Sequence, residues 1–182
     1  MNQGLIPARY AKALYEFALE SGDDKKVFSL MQTLTASFAA EPSLQKVMAN
    51  PFVNDSEKVK LLNTAAGDGA EQCKPFERFL GLLVENRRID AVRDIALAYI
   101  GLYRHANNIR LVTVTSAAPL DPAEEQRLRA LVQKHLGDAT MEYQTEVDPS
   151  LIGGFTVKID NEKLDASVAN ELKQLRLSLL SK

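Results

Sequence analysis

A chain of 182 residues, 46% apolar and 25% charged, is long enough for one ordinary domain or two small ones, and its composition excludes wholesale disorder. Basic side chains number 22 against 24 acidic ones, a net charge of −2 that argues against a nucleic-acid binder, which needs a basic excess to neutralise phosphates. Cys73 is the only cysteine, so no disulfide can form within the chain, and neither His105 nor His135 stands in a metal-ligand spacing.

The opening "MNQGLIPARYAKALYEFALE" lacks the charged-then-apolar layout of a signal peptide, and no apolar run reaches the length that spans a bilayer. A first helix is expected from near Leu5 to a stop at Gly22. "SGDDKK" opens a second, with Val27, Leu30, Met31, Leu34 and Phe38 at helical spacing. Pro42 and Pro51 bracket a short third helix. "NDSE" at 54–57 has the form of a capping box: Asn54 would accept from the backbone and Glu57 reach back. That fourth helix runs into the loop "GDGAEQ"; a fifth is expected from about Lys74 to Glu85 and a sixth from about Ile89 to Arg104. Six helices on short loops imply a helical bundle over residues 1–106.

The period changes at Asn107-Asn108. "NNIRLVTVTSA" reads as a strand, and Asp121, Pro122 and Glu124 form a helix start: cap, proline at the first position, acid in the first turn. The helix that follows carries Leu128, Leu131, Val132 and Leu136 on one face and stops at Gly137. "TMEYQTEV" alternates Met141, Tyr143, Thr145 and Val147 against polar residues, as a half-buried strand does, and "FTVKI" is a third strand. A last helix is expected from about Asp165, with Val168, Leu172, Leu175 and Leu179 facing inward. The fold class is therefore α+β: a six-helix bundle followed by a small β-α-β-β-α domain over 107–182. Residues 1–107 hold 13 basic and 13 acidic side chains and residues 108–182 hold 9 and 11, so neither part offers the basic face that an RNA-binding βαββα module requires.

Visible chemistry is scarce. Gly153-Gly154 precede a strand, whereas a phosphate cradle needs glycines ahead of a helix N-terminus, so a bulge or a close approach of backbones fits better. Asp148-Pro149 opens a turn, Asp160 sits at the next one, and Asp165 with Ser167 makes a helix start. A small hydrolase or metal enzyme would need Asp148, Asp160 and Asp165 to converge within coordination distance, and no ligand spacing supports it. No residue is expected to be catalytic, to bind a cofactor or to hold a metal.

The first helix is more informative. At roughly 100° per residue, Ile6, Tyr10, Ala13, Leu14 and Phe17 fall within one arc of about 100°. Ala8, Ala11, Tyr15, Ala18 and Leu19 fill the opposite arc, while Arg9, Lys12, Glu16 and Glu20 share a third. A surface helix usually needs one apolar stripe. Two stripes suit either a central helix buried by its own neighbours or one whose second stripe receives a helix from another chain. The fifth helix also has apolar surface to spare, with Phe76, Phe79, Leu80, Leu82, Leu83 and Val84. Alanines at 8, 11 and 18 suit close packing within the bundle, which leaves Ile6, Tyr10, Ala13 and Phe17, with Phe79 and Leu82, as the groove for a partner helix.

Three stretches resemble a known family. "ARYAKALYEFA" (8–18), "ENRRIDAVRDI" (85–95), and "VTSAAPLD" with "DPSLIGGFTVKID" and its trailing "LDAS" look like signatures of the delta subunits of bacterial F-type ATP synthases, counterparts of the mitochondrial oligomycin-sensitivity-conferring protein. The resemblance runs essentially end to end. It implies a non-catalytic peripheral-stalk subunit that joins the catalytic head to the stator, so that ion-driven rotation is coupled to ATP synthesis. It further implies that the helical domain takes the N-terminal helix of an alpha subunit and that the 107–182 domain meets the ends of b-type stalk subunits. The place implied is peripheral, on the cytoplasmic face of the bacterial inner membrane, with no cofactor, small-molecule substrate, nucleic acid or direct membrane insertion. Asp148, Pro149, Gly153, Gly154, Asp165 and Ser167 become a structural motif. A generic helical adaptor with other partners is the alternative.

Overall fold

A computed structural model describes residues 4–160, 162–170 and 172, and the chain divides into two compact units, Met1–Arg104 and His105–Lys182. The first is helical: α1 (Leu5–Ser21), α2 (Asp24–Ala40), α3 (Ser43–Ala49), α4 (Asp55–Ala66), α5 (Lys74–Glu85), a 3-10 turn (Ile89–Ala91) and α6 (Val92–Ala106). Local chemistry sets the breaks. At Gly22 the backbone turns left-handed (φ 72°), and the amides of Gly22 and Asp23 donate to the carbonyls of Leu19 and Ala18 at 3.1 and 3.0 Å, closing α1. α5 ends without a glycine: Arg87 takes φ 54°, a conformation that costs an L-residue on the order of 1 kcal/mol, while the Arg88 amide donates to Leu83 at 2.8 Å.

Asn54 and Asp121 have the extended backbone of helix caps, but neither side chain accepts a hydrogen bond, so the expected capping box is not formed. At Asn54 it is the carbonyl that accepts, from Glu57 and Lys58 at 3.0 Å each. First-turn acids, Asp55 and Glu57 on α4, favour the helix start through its dipole instead.

The core of this unit is built on one face of α2, where Val27, Leu30, Met31, Leu34 and Phe38 are all buried, with Phe76, Leu80 and Leu83 from α5 and Ile95 and Tyr99 from α6. Tyr15 of α1 meets Tyr99 and Tyr103 edge-on at 6.1 and 6.2 Å, and Phe28 stacks on Tyr103 at 4.2 Å. The buried Tyr99 hydroxyl donates to the Asp24 carbonyl at 3.3 Å, and burial pushes its ionisation far above the usual phenol range.

The second unit holds β1 (Ile109–Ser116), α7 (Pro122–Leu136), β2 (Thr140–Val147), a 3-10 turn (Pro149–Leu151), β3 (Gly154–Ile159) and β4 (Glu162–Ser167). The sheet order is β2-β1-β3-β4; β1 and β2 are parallel, joined by α7, and β3 is antiparallel to both β1 and β4. Val112, Val114, Val132 and Val157 form the core, with Leu128, Leu136, Met141, Tyr143, Phe155 and Ile159 packed on it.

This half departs from expectation in three places. β4 was not anticipated: residues 162–167 carry one large apolar side chain, Leu164, and that one is exposed, so the strand has no alternation to betray it. Asp165 therefore lies in a strand, and helical backbone begins only after Ser167, whose hydroxyl accepts from the Asn170 amide at 3.2 Å. Val168 and Leu172 are exposed rather than inward, and the expected Leu175 and Leu179 lie outside the described residues. Finally, Leu131 is 66% exposed and Val147 53%, because Val132 alone of the α7 leucines and valines is buried and β2 is an edge strand with a neighbour on one side only.

Candidate partner-helix groove

Ile6, Tyr10, Ala13 and Phe17 follow the 4-3-4 spacing that aligns side chains along one stripe of α1. Opposite stand Phe79 and Leu82 of α5. The two helices bound a groove with two adjoining hollows. One, of about 130 Å³, is lined by Tyr10, Ala13, Leu14, Phe17, Pro75, Arg78, Phe79 and Leu82. The other, of about 480 Å³, is lined by Ile6, Arg9, Tyr10, Ala13, Leu82, Asn86 and Arg88. Tyr10, Ala13 and Leu82 are common to both, so all six residues singled out from the sequence lie along one continuous surface. Phe79 is buried at its floor; Ala13 is exposed and Leu82 is 42% exposed on its rim.

The division of α1 into two stripes needs correction. The residues turned fully inward are Pro7, Ala11, Leu14 and Ala18. Leu14, grouped with the outer stripe, belongs to the core, whereas Ala8 and Leu19, grouped with the inner one, are exposed. α1 is buried along a line between the two arcs, which leaves flanks of both at the surface. Sequence reasoning also missed the arginines: Arg9, Arg78 and Arg88 line the hollows, and the Arg78 guanidinium lies 5.3 Å from the centre of the Phe17 ring. Arg9 was legible, one step round the helix from Ile6, but its arc reads as a solvated face.

The glycine-rich stretch joins the ends of β3 and β4. The Asp148 carboxylate accepts from the Ser150 amide at 2.9 Å, Pro149 begins the 3-10 turn, and the hydrogen bonds from Ser150 hold Asp148 below the usual carboxylate range. Gly154 has φ 75°, and a Cβ there would sit 2.3 Å from the Ala166 carbonyl oxygen. A Cβ on Gly153 would press on Val168 at 3.1 Å, where the Val168 amide donates to the Gly153 carbonyl at 3.0 Å. Asp165 accepts from the Ser167 hydroxyl at 2.6 Å and its amide at 3.2 Å; these bonds, with Lys163 at 3.4 Å, lower its ionisation. Asp160 pairs instead with Arg110 at 2.8 Å. The three aspartates thus serve separate partners, and among the described residues no three His, Cys, Asp or Glu side chains gather as metal ligands. Cys73 is fully buried, and desolvation pushes its thiol up.

A helical unit that leaves an apolar groove between two of its helices, in a chain whose other unit is an α+β sheet fixed by turn hydrogen bonds, is the build of an assembly subunit. Its relatives agree. The family model for the ATP synthase delta (OSCP) subunit matches residues 6–179. The chain is 40% identical to ATP synthase subunit delta of Parabacteroides distasonis, covering 99% of this chain and 98% of that one. It is 37% identical to ATP synthase subunit delta of Bacteroides thetaiotaomicron over 100% of this chain and 97% of the other. In fold it is similar to a chain of the Toxoplasma gondii mitochondrial ATP synthase hexamer, seen by cryo-EM, with a TM-score of 0.71 and 22% identity over 96% of this chain and 97% of that one. The chain belongs to the ATP synthase delta (OSCP) family. It is a structural, peripheral-stalk subunit of the F-type synthase and not itself an enzyme. No helix among the described residues is long and apolar enough to cross a membrane.

Proposed function

We propose that the groove between α1 and α5 receives the N-terminal helix of an alpha subunit, and that the unit from residue 107 onward meets the ends of the b-type stalk subunits on the cytoplasmic face of the membrane. On this reading residues 1–106 act as one six-helix bundle that grips the catalytic head. Torque from the turning central shaft would carry the head round unless something held it, so the work required is tight non-covalent attachment. The observation that carries the reading is the groove itself: an apolar floor at Phe79, an exposed rim at Ala13 and Leu82, and a half-buried Tyr10 whose ring can pack while its hydroxyl stays wet. Exposed Leu131 and Leu164 beside an apolar cleft of about 490 Å³ between α7 and the β3–β4 face support a protein contact for the other unit.

The test is Ala13→Asp. A carboxylate at position 13 would stand under the docked helix, where its desolvation costs on the order of several kcal/mol even with the rim arginines in reach and where it repels an acidic flank, so binding of a synthetic alpha-subunit N-terminal peptide should weaken at least about a hundredfold. Because Ala13 is exposed, circular dichroism and thermal unfolding of the free variant should match the parent chain. Undiminished peptide affinity would reject the groove.

A further inference from the structure

The charge around this groove is of one sign. Among its lining residues three are ionised, Arg9, Arg78 and Arg88, and no carboxylate lines either hollow. None of the three has an ion-pair partner among the described residues, while other surface charges do, such as Lys12 with Glu16 and Arg129 with Glu125. Their placement is also directional. Phe17 shares its hollow with Pro75 and Arg78 at the start of α5, and Ile6 shares the other with Asn86 and Arg88 at its end, so α1 and α5 run antiparallel along the groove. From Ile6 to Phe17 is eleven residues of helix, or roughly 16 Å at 1.5 Å per residue. Arg78 stands at one end of that length and Arg9 with Arg88 at the other.

Resting on the proposal that the groove takes a helix, we infer that its occupant is an amphipathic helix about three turns long whose apolar stripe is flanked by carboxylates at both ends, and that the arginine rim selects it by charge. Apolar contact at Phe79 and Leu82 supplies area but tolerates many sequences. Three unpaired guanidinium groups discriminate, because a helix bearing lysine or arginine at those flanks meets repulsion and one bearing aspartate or glutamate finds forked donors. The same rim steers the encounter, so association depends on salt.

The test uses the full chain, a variant with Arg9→Gln, Arg78→Gln and Arg88→Gln, and a synthetic alpha-subunit N-terminal peptide from the same organism, alongside a copy with its Asp and Glu changed to Asn and Gln. Calorimetry at about 20 mM and about 500 mM salt should give at least about tenfold weaker binding for the triple variant, and for the amidated peptide, at low salt only. At high salt the parent should fall to within about twofold of the variant. Equal affinities at low salt, with Ala13→Asp still abolishing binding, would overturn the charge selection and leave the groove reading standing. A loss in the triple variant that salt does not erase would also overturn it, since shape and not charge would then be at work. If Ala13→Asp binds as the parent does, the groove reading falls and this inference with it.

Discussion

Of the twelve largest side chains that the structure buries completely, eleven, from Tyr99 and Phe76 to Val92, belong to the helical unit, and only Val112 belongs to the α+β unit. The contrast follows from how each part covers apolar surface. In the helical unit α2 contributes five buried side chains and α5 another five. In the α+β unit α7 buries Val132 alone, and the buried centre is that valine with three from the sheet, Val112, Val114 and Val157. Leu131, Val147, Ile152 and Leu164 stay exposed there. One unit closes its own core and leaves a groove between α1 and α5. The other has a small interior held in register by backbone geometry at Gly154 and by turn hydrogen bonds. Stability in the first lies in packing, and in the second in a few positions that admit no substitute.

That difference can be broken most forcefully at Gly154. Gly154→Val places a β-branched side chain at φ 75° and a Cβ 2.3 Å from the Ala166 carbonyl oxygen, a backbone atom that cannot step aside. Hydrogen exchange should report residues 109–167 unprotected while α2, α5 and α6 keep their protection. Phe76→Ala tests the other unit. Its fully buried ring leaves a void worth about 3–5 kcal/mol, and exchange should accelerate across α1 to α6 with the sheet unaffected. Loss of protection throughout the chain in either variant would mean that the two units do not owe their stability to separate causes.

The smallest effect is electrostatic and confined to the α+β unit. Asp148 and Asp165 are held below the ordinary carboxylate range by hydrogen bonds from Ser150 and Ser167. A depressed folded-state value means stability that is complete above the ordinary pKa of about 3.9 and is lost as pH falls through the lower, folded-state value. The α+β unit should therefore lose its protection ahead of the helical one on acidification from pH 5 to 3, and Asp148→Asn with Asp165→Asn should flatten that dependence. An unchanged acid profile in the double variant would show that other carboxylates dominate.

How much of this was legible in the sequence differs between the same two regions. α5 lies where the sequence puts it, from Lys74 to Glu85, because Pro75 and the apolar period mark it plainly. Every residue assigned to the groove lines it, since a stripe at 4-3-4 spacing survives whatever packs behind the helix. What the wheel cannot show is which line between two apolar arcs faces the core, and so Leu14 was placed on the wrong side. It also hides the rim: charged residues beside an apolar stripe look alike whether they are solvated or waiting for a partner. β4 was missed because an edge strand held by backbone pairing, from Gly154↔Ser167 to Ile159↔Glu162, asks little of its side chains. Caps at Asn54 and Asp121 were placed correctly by backbone conformation but not by hydrogen bond, because first-turn acids already favour those helix starts.

The most direct test of attachment through the groove is photocrosslinking in the assembled synthase. Benzoylphenylalanine replaces Leu82, which is 42% exposed on the groove rim, and in a control it replaces Leu97, which is 51% exposed on α6 and lines neither hollow. Mass spectrometry should find the Leu82 position joined to the first residues of an alpha subunit and the Leu97 position not so joined. Alpha-subunit capture from position 97 but not from 82, or capture of a different subunit at 82, would contradict the account.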